Sequence, residues 1–392
     1  MNFLRKYKKK FIYLILYLSF NTISPFKITS LKTILKEHPE IIYQPVCDEL
    51  PFKIAPFQIA PSFPHKGTFE KLFILTIPNG LVRGMHGHVI IHDTFIEELI
   101  WGGLINSFQI PFNTQNIDPE TVLKVPGKVA VISQLDSKNY CHWLLEILGR
   151  LAILEMNHIE YDWLYVSIEE QPFVKKIAEL WGIDISKVIS PHDHYFTIEA
   201  ETLIVPSLVI HTDQGHRQFG NFYHPITTEY TKNKLLTIAL EKNINSNQFC
   251  KKVFISRGDN INARKILNEN EIFDLFQALG FKRYELSNLS IEEQIILFNN
   301  AEIIIGEHGA GMTNLLFCKP NTKVIEIFHN FVPMDFWYIA SFAKLNYTPI
   351  NTLLDQEANI FANWHSHKEK IYSLPIRNII PLDKIKKLIE KL

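Results

Sequence analysis

Hydrophobic and polar residues alternate over short distances in the first third of the chain. From Pro51 to Pro126, runs such as KLFILTIP and HVIIHDTFIEEL are bounded by Pro and Gly, a pattern typical of strands joined by turns. We therefore predict a small β-rich subdomain over residues 51–126, preceded by an N-terminal segment and helix over residues 1–50.

The hydrophobic pattern changes at Lys128. Strand-like runs now alternate with runs of helical periodicity, in the order KVAVIS, HWLLEILGRLAILE, YDWLYVSI, PFVKKIAELWGI and TLIVPSLVI. Alternation of this kind is typical of a parallel sheet covered by helices. Residues 127–240 are therefore predicted to form a Rossmann-like domain.

A second alternating half follows the polar stretch EKNINSNQFCKK, which is typical of a linker. Its predicted strands are KVFIS, FKRYEL, AEIIIG and KVIEIF, and its predicted helices are ENEIFDLFQALG, SIEEQIILFNN and GMTNLLFC. Gly280 stands at the C′ position of the first helix, and Ser290 with Glu293 forms a capping box before the second. Residues 250–350 are predicted to form a second Rossmann-like domain, and residues 351–392 end in a basic amphipathic helix.

The length, charge and cysteine content of the chain restrict the class of protein. A chain of 392 residues is too long for one ordinary core and indicates at least two domains. The 40 Lys and Arg residues balance 41 Asp and Glu residues, so no global basic field points to nucleic acid as a partner. The four cysteines form no C-x-x-C pair, which argues against a zinc ribbon or a disulfide framework and fits a reducing compartment.

The N-terminus places five basic residues before an apolar run of about ten residues, Phe11–Phe20, shorter than the ~20 needed to span a bilayer. Three interpretations stay open: a signal-like segment, an interfacial anchor whose lysines meet anionic lipid, and an ordinary helix that covers the protein. We expect a cytoplasmic protein that contacts the membrane peripherally through Lys6–Phe20.

The run IIIGEHGAGMTNLLF, Ile303–Phe317, breaks an apolar strand with three glycines just before a predicted helix. In a parallel sheet, ligands gather beyond the carboxyl ends of the strands. Glycines let the backbone approach a ligand closely, and a helix N-terminus offers N–H groups to a phosphate or a sugar oxygen. A tight turn without any ligand is the alternative that this motif alone leaves open.

Two arginines and one glutamate add to this candidate site. Arg257 ends the strand VFISR and Arg264 follows in the turn GDNINAR, so two guanidiniums could grip a diphosphate by paired hydrogen bonds. Two solvated loop arginines are the alternative. Glu326 lies within the apolar strand KVIEIF, where a carboxylate is costly unless it is paired or bound to a ligand such as a ribose diol.

The first alternating half contributes the motif NYCHWLLEILGR. On a helix, His142, Glu146 and Arg150 fall at i, i+4 and i+8 and form a polar stripe, with Asn139 one step earlier as the N-cap. His142, with a carboxylate one turn on, has the chemistry of a general base or a substrate-holding group. An ordinary surface salt bridge between Glu146 and Arg150 is the alternative.

Other histidines form two groups, His86, His88 and His92 in one and His192 and His194 in the other. They lie in turns or strands without a partner motif, whereas a metal site needs three or four converging ligands. We therefore predict no metal site at these histidines.

Four motifs in one order resemble glycosyltransferase family 61: NYCHWLLEILGR, VFISRGDNINARKILNE, LSIEEQIILFNNAEIIIGEHGAGMTNLLF and VIEIF. The family includes bacterial capsular polysaccharide biosynthesis proteins and eukaryotic O-linked N-acetylglucosaminyl- and xylosyltransferases. The similarity runs from roughly Leu75 to Phe328.

The resemblance implies an α/β fold of GT-B type, with two Rossmann-like domains facing a cleft. It implies inverting transfer of a sugar from a nucleotide-sugar donor to a saccharide acceptor in surface polysaccharide biosynthesis, with no cofactor and no obligatory metal ion. The donor is expected to be held by Arg257, Arg264, His308, Gly309, Ala310, Gly311, Asn314 and Glu326. His142 and Glu146 are expected to be catalytic, and Asn139 and Arg150 to contact the saccharide.

Two other functions stay open at this point. A non-catalytic saccharide- or nucleotide-binding protein on the same fold would have no turnover to lose when His142 or Glu146 is replaced. A metal hydrolase built on the histidine groups would carry bound zinc.

Overall fold

A computed structural model describes residues 27–59, 61, 63–100, 117, 119–134, 137, 139–168, 171–211, 222–258, 266–328, 333–351 and 379–390. Within these ranges no helix is both long and apolar enough to cross a bilayer. The predicted membrane-contacting segment Lys6–Phe20 lies outside the described residues and stays a prediction.

The strands are β1 Lys27–Thr29, β2 Ile42–Cys47, β3 Leu50–Lys53, β4 Lys66–Phe69, β5 Leu72–Arg83, β6 His88–Ile91, β7 Thr94–Ile96, β8 Leu123–Val131, β9 Trp163–Tyr165, β10 Val188–Ile189, β11 Thr197–Pro206, β12 Ile210–His211, β13 Phe222–Tyr223, β14 Lys252–Ser256, β15 Lys282–Glu285, β16 Ile303–Glu307, β17 Lys323–Phe328 and β18 Asn346–Asn351. The helices are α1 Leu31–Glu37, α2 (Tyr140–His142, a π-helical turn Trp143–Ile147, and Leu148–Met156), α3 Pro172–Trp181, α4 Pro225–Glu241, α5 Glu269–Gln277, α6 Ile291–Asn300, α7 Asp335–Phe342 and α8 Leu382–Ile389. A 3-10 helix spans Ala310–Phe317, and shorter 3-10 turns span Glu97–Leu99, Pro119–Thr121, Ile185–Lys187, Ser246–Gln248 and Leu286–Asn288.

The described residues pack into two compact units. The first contains the residues up to Asp48, Lys71–Lys175 and Asp184–Ile210, and the second contains Glu49–Glu70, Lys176–Ile183 and the residues from His211 onward. The predicted β-rich segment 51–126 therefore contributes to both units. The predicted five-part division of the chain stays a prediction.

The first unit is built on one mixed sheet in the order β1-β7-β6-β5-β11-β8-β9-β10, with β2 also paired to β5. The parallel pairing predicted from Lys128 onward is confirmed for β8, β9 and β11, and β10, which the sequence did not predict, pairs parallel with β9. β5 joins the same sheet antiparallel to β11, with Leu75 opposite Val205. Its residues Leu72 to Leu75 are all buried, as expected for a strand covered on both faces. The part of the predicted β-rich segment that follows Lys71 thus extends this sheet.

The second unit contains the predicted parallel sheet of β14, β15, β16 and β17, which β18 extends, in the order β15-β14-β16-β17-β18. The capping box of Ser290 and Glu293 is confirmed. Gly280 has φ +84 and its N–H donates to Gln277 O, while Phe281 N–H donates to Phe276 O, which confirms the C′ position. The predicted helix after the glycine loop is a 3-10 helix, in which Met312 N–H donates to Gly309 O three residues earlier.

The β3–β4 hairpin and the residues between its strands belong to the second unit. Their aromatic side chains pack against α7 and form a hydrophobic core with it. This core contains Phe57, Phe63, Phe69, Trp337 and Tyr338. The α/β class is therefore confirmed, and the arrangement of two domains facing a cleft stays a prediction.

Candidate functional site

The second unit places three predicted site residues at one sheet edge. β14, β16 and β17 are parallel neighbours, with Ile255 opposite Gly306 and Gly306 opposite Glu326. This register places Arg257, two residues after Ile255, beside His308, two residues after Gly306. The loops that follow these strands therefore meet, as the sequence predicted for a parallel sheet.

Arg257 is anchored at both its backbone and its side chain. Its Nη1 donates to the carbonyl oxygen of His308 at 2.6 Å, and its backbone N–H donates to Glu269 Oε2 at 3.3 Å. Glu269 also accepts from Ser256 Oγ at 2.7 Å and is 6% exposed. The sequence analysis missed Glu269. The feature that could have indicated it is a carboxylate in the first turn of α5, the helix that follows β14. Arg257 as a whole is partly exposed.

His308 is paired with a buried carboxylate. Its Nδ1 lies 2.6 Å from Glu326 Oε1, and the exposed fractions of the two side chains are 14% and 0%. The imidazole stacks on Phe328 with ring centroids 5.4 Å apart and lies 4.9 Å from the ring of Phe336. These contacts hold the ring with Nδ1 directed at the carboxylate.

Glu326 has a second partner that sequence reasoning missed. Its Oε2 accepts a hydrogen bond from the hydroxyl of Tyr347 on β18. Burial raises the pKa of the Glu326 carboxyl, and the hydrogen bonds from His308 and Tyr347 lower it. Burial, with the neighbouring Glu326, also raises the pKa of Tyr347 well above its ordinary value. The expectation that Glu326 must be paired is thus met by side chains, while its contact with a ribose stays a prediction.

The glycines of the loop have separate packing reasons. A Cβ on Gly309 would lie 2.8 Å from Arg257 Nη1 and 3.0 Å from its Cζ, so glycine lets the guanidinium lie against the loop backbone. A Cβ on Gly311 would lie 2.7 Å from Leu286 Cδ1. His308, Gly309, Ala310 and Gly311 are all partly exposed, which leaves this backbone accessible to a ligand.

The structure places the other two expected donor residues differently. Asn314 is fully buried, and its Nδ2 donates to Gln294 Oε1 at 3.0 Å and to Gly311 O at 3.2 Å. It therefore anchors the glycine loop to α6, and its contact with a donor stays a prediction. Arg264 lies outside the described residues.

The first unit contains a second histidine–carboxylate pair. His142 Nδ1 lies 2.5 Å from Glu146 Oε1, and the exposed fractions of the side chains are 14% and 0%. Asn139 is the predicted N-cap and accepts from Cys141 N–H at 2.8 Å. Gln134, which sequence reasoning missed, donates from Nε2 to Glu146 Oε2. Glu146 thus has a partner at each oxygen, and its carboxylate orients His142.

Arg150 does not continue the polar stripe. It is 3% exposed, and Nη1 donates to Ser133 O at 2.7 Å while Nη2 donates to Pro206 O at 2.8 Å. Burial lowers the pKa of its guanidinium to about 9. The π-helical turn before Leu148 departs from the regular helical pitch, so a spacing of eight residues does not keep one face. Arg150 ties the ends of β8 and β11 together, and its contact with a saccharide stays a prediction.

The structure groups these histidines differently from the sequence. The ring of His86 lies 5.8 Å from that of His88 and 5.2 Å from that of His194, while His92 lies 5.1 Å from His38. Across the ranges that the structure describes, no three His, Cys, Asp or Glu side chains converge as metal ligands would.

The sequence was compared with protein families and with known proteins. Residues 140–325 match the model of the family Glycosyltransferase 61. The EGF domain-specific O-linked N-acetylglucosamine transferase of Gallus gallus is 35% identical over 71 residues, which are 17% of this chain and 13% of that protein. Two beta-1,2-xylosyltransferases, from Oryza sativa subsp. japonica and Arabidopsis thaliana, are 31% and 29% identical over 96 and 97 residues.

These two stretches cover 22% and 21% of this chain and 18% of each plant protein. The alignments thus span under a fifth of the length of these relatives. The family match contains His142, Glu146, Arg257 and the glycine loop, and it ends one residue before Glu326. The resemblance to glycosyltransferase family 61 that the four sequence motifs indicate is therefore confirmed over residues 140–325.

Proposed function

We propose that this chain is an inverting glycosyltransferase that moves a sugar from a nucleotide-sugar donor to a saccharide acceptor during surface polysaccharide assembly. The family match and relatives named as N-acetylglucosamine and xylose transferases support sugar transfer. We further propose that transfer needs no metal ion and no cofactor. The proposed location is the cytoplasm, with the N-terminus in peripheral contact with the membrane.

The observation that carries this proposal is the anchored guanidinium of Arg257, 2.6 Å from the carbonyl oxygen of His308 at the carboxyl edge of a parallel sheet. When the glycosidic bond of the donor breaks, the leaving diphosphate gains negative charge. A preorganised cation stabilises that charge in the transition state without reorganising at the moment of reaction. The planar guanidinium also matches the oxygens of a diphosphate.

The glycine loop completes the proposed donor site. Gly309, Ala310 and Gly311 bring partly exposed backbone beside Arg257. The Glu326 carboxylate orients His308 through Nδ1, so Nε2 is the ring nitrogen through which His308 meets the donor. Arg264 and Asn314 are included in the proposal on the sequence argument.

His142 is the proposed base. The acceptor hydroxyl oxygen attacks the anomeric carbon, the bond to the diphosphate oxygen breaks, and the hydroxyl proton passes to the base. Glu146 accepts from Nδ1 of His142, so Nε2 is the nitrogen that takes the proton. Asn139 and Arg150 bond to the protein itself, so no step of this mechanism depends on them.

A panel of nucleotide sugars tests the proposal. The full chain is incubated with UDP-, GDP-, ADP- and CDP-sugars, and release of nucleoside diphosphate and thermal unfolding are measured. A ligand at 100 times its dissociation constant stabilises the folded state by ~2.7 kcal/mol. Stabilisation and release that are both lost in Arg257→Ala support the donor site. A flat response to the whole panel overturns it, and stabilisation without release or transfer favours the binding-protein alternative.

A further inference from the structure

Arg83 is a buried cation that the proposed mechanism does not use. It is the last residue of β5 and is 3% exposed. Its Nε and Nη1 are buried without a hydrogen-bond partner among the described residues. Arg150, equally buried, instead donates to the backbone carbonyls of Ser133 and Pro206. A buried guanidinium with unmet donors is costly, and an oxyanion that accepted from Nε and Nη1 would remove this cost.

An exposed tyrosine covers this guanidinium. The Cζ of Arg83 lies 5.5 Å from the ring centroid of Tyr195, which is 61% exposed. Asp193 contributes an attractive charge nearby, but its Oδ1 accepts from the N–H groups of Tyr195 and Phe196, each at 2.7 Å. Arg83 therefore lies just beneath one aromatic ring at the protein surface.

The turn that follows Arg83 is linked by hydrogen bonds to the His142–Glu146 pair within the first unit. The residue after Arg83, Gly84, donates to Phe196 O at 2.8 Å, and Met85 O accepts from Ser133 Oγ at 2.5 Å. Ser133 is followed by Gln134, which donates to Glu146. Hydrogen bonds thus lead from the turn after Arg83, through Ser133 and Gln134, to the carboxylate beside the proposed base.

We propose that Arg83 is the receptor for an oxyanion, a carboxylate or a phosphate, carried by the saccharide substrate that reacts at His142. The inference rests on the proposed function, because it assigns the anion to that saccharide. Two N–H donors of a guanidinium match the two oxygens of such a group, and low solvent exposure strengthens the interaction. Tyr195 supplies a ring face on which a sugar can pack. The substrate class is therefore an acidic saccharide.

Binding of small acids to the full chain tests the proposal. D-glucuronate, D-glucose 6-phosphate, D-glucose and inorganic phosphate are titrated by calorimetry at constant ionic strength, without any nucleotide sugar. We expect at least one of the two acidic sugars to bind ten-fold or more tightly than glucose, and the tighter one identifies the oxyanion. Arg83→Met should abolish this preference. Lys124→Met, which removes an 80% exposed cation from the same unit, should keep it.

An unchanged preference in Arg83→Met overturns the proposal, as does binding of inorganic phosphate without binding of either acidic sugar. If Arg83→Met does not fold, the wild type is titrated with the tighter-binding of the two acidic sugars while the Nε–H signals of ¹⁵N-arginine are followed by NMR. The signal absent from Arg83→Lys should shift, and its failure to shift overturns the assignment. The titrations contain no nucleotide sugar. The preference for acidic sugars can therefore be measured even if the proposed nucleotide-sugar site proves wrong.

Discussion

Arg257 donates from Nη1 to the carbonyl oxygen of His308 at 2.6 Å, so the cation after β14 is held by the residue after β16. We expect Arg257→Ala to lower transition-state stabilisation by ~2 to 4 kcal/mol, the scale for losing one preorganised donor to a developing anion. Arg257→Lys should recover only part of the lost transition-state stabilisation, because a lysine cannot donate in the same planar arrangement. The measurement is kcat/KM for the donor, with Lys251→Ala, an exposed cation paired with Glu302, as control. Wild-type turnover in Arg257→Ala would contradict the phosphate role.

Gly309→Ala tests the close approach of the loop to Arg257. The added Cβ would lie 2.8 Å from Nη1, and since the end of a long side chain can move, the free energy of unfolding should change little. Donor turnover should fall because the guanidinium is displaced. In an Arg257→Ala background the same substitution should have almost no further effect, a non-additivity that a double-mutant cycle measures. Additive losses would show that Gly309 acts independently of Arg257.

His142→Ala tests the proposed base. The rate of transfer at saturation should fall by ~100-fold or more, while nucleotide affinity stays nearly unchanged, because a base acts in the chemical step. Glu146→Gln should lower the same rate, since the amide is a weaker acceptor for His142 Nδ1. Single-turnover kinetics and nucleotide titration separate the two effects. Weakened nucleotide binding with an intact rate would make His142 a substrate-holding residue.

Tyr347→Phe tests the second partner of Glu326. Removing the hydroxyl leaves Glu326 Oε2 buried without this donor, which should cost about 1–3 kcal/mol of unfolding free energy. Urea denaturation measures the loss. In a Glu326→Leu background the loss should shrink, because the acceptor is already gone. An equal loss in both backgrounds would mean that Tyr347 contributes through packing alone.

His224→Leu tests an acid-sensitive position. His224 is 2% exposed beside Phe69, and burial lowers the pKa of its imidazole to about 4. The unfolded chain therefore binds a proton more readily than the folded chain below pH 6.5, and stability should fall as pH drops from about 6.5 to 4, by about 3 kcal/mol. His224→Leu should flatten the dependence of the unfolding free energy on pH between 6.5 and 4. Urea denaturation at a series of pH values measures this dependence. His192→Leu, at a 72% exposed histidine, should leave it unchanged, and an equally steep profile in His224→Leu would refute the assignment.

The local sequence was sufficient for the features that depend on near neighbours. The alternation of strands and helices predicted β14, β15, β16 and β17, and the spacing of four residues predicted the contact between His142 and Glu146. The capping box of Ser290 and Glu293 needs only three residues. These features follow from repeats of two and 3.6 residues, which are readable within one segment.

Only the tertiary structure decided which distant residues became partners. Tyr347 reaches Glu326 because β18 lies beside β17, and Arg150 reaches Pro206, 56 residues away, because β11 lies beside β8. Strand order depends on how whole elements pack and on which faces they bury, and no short window of sequence contains that information. For the same reason the buried guanidinium of Arg83 carries no local signal, since its burial comes from the turn at Tyr195 and from a strand pairing more than one hundred residues apart in sequence.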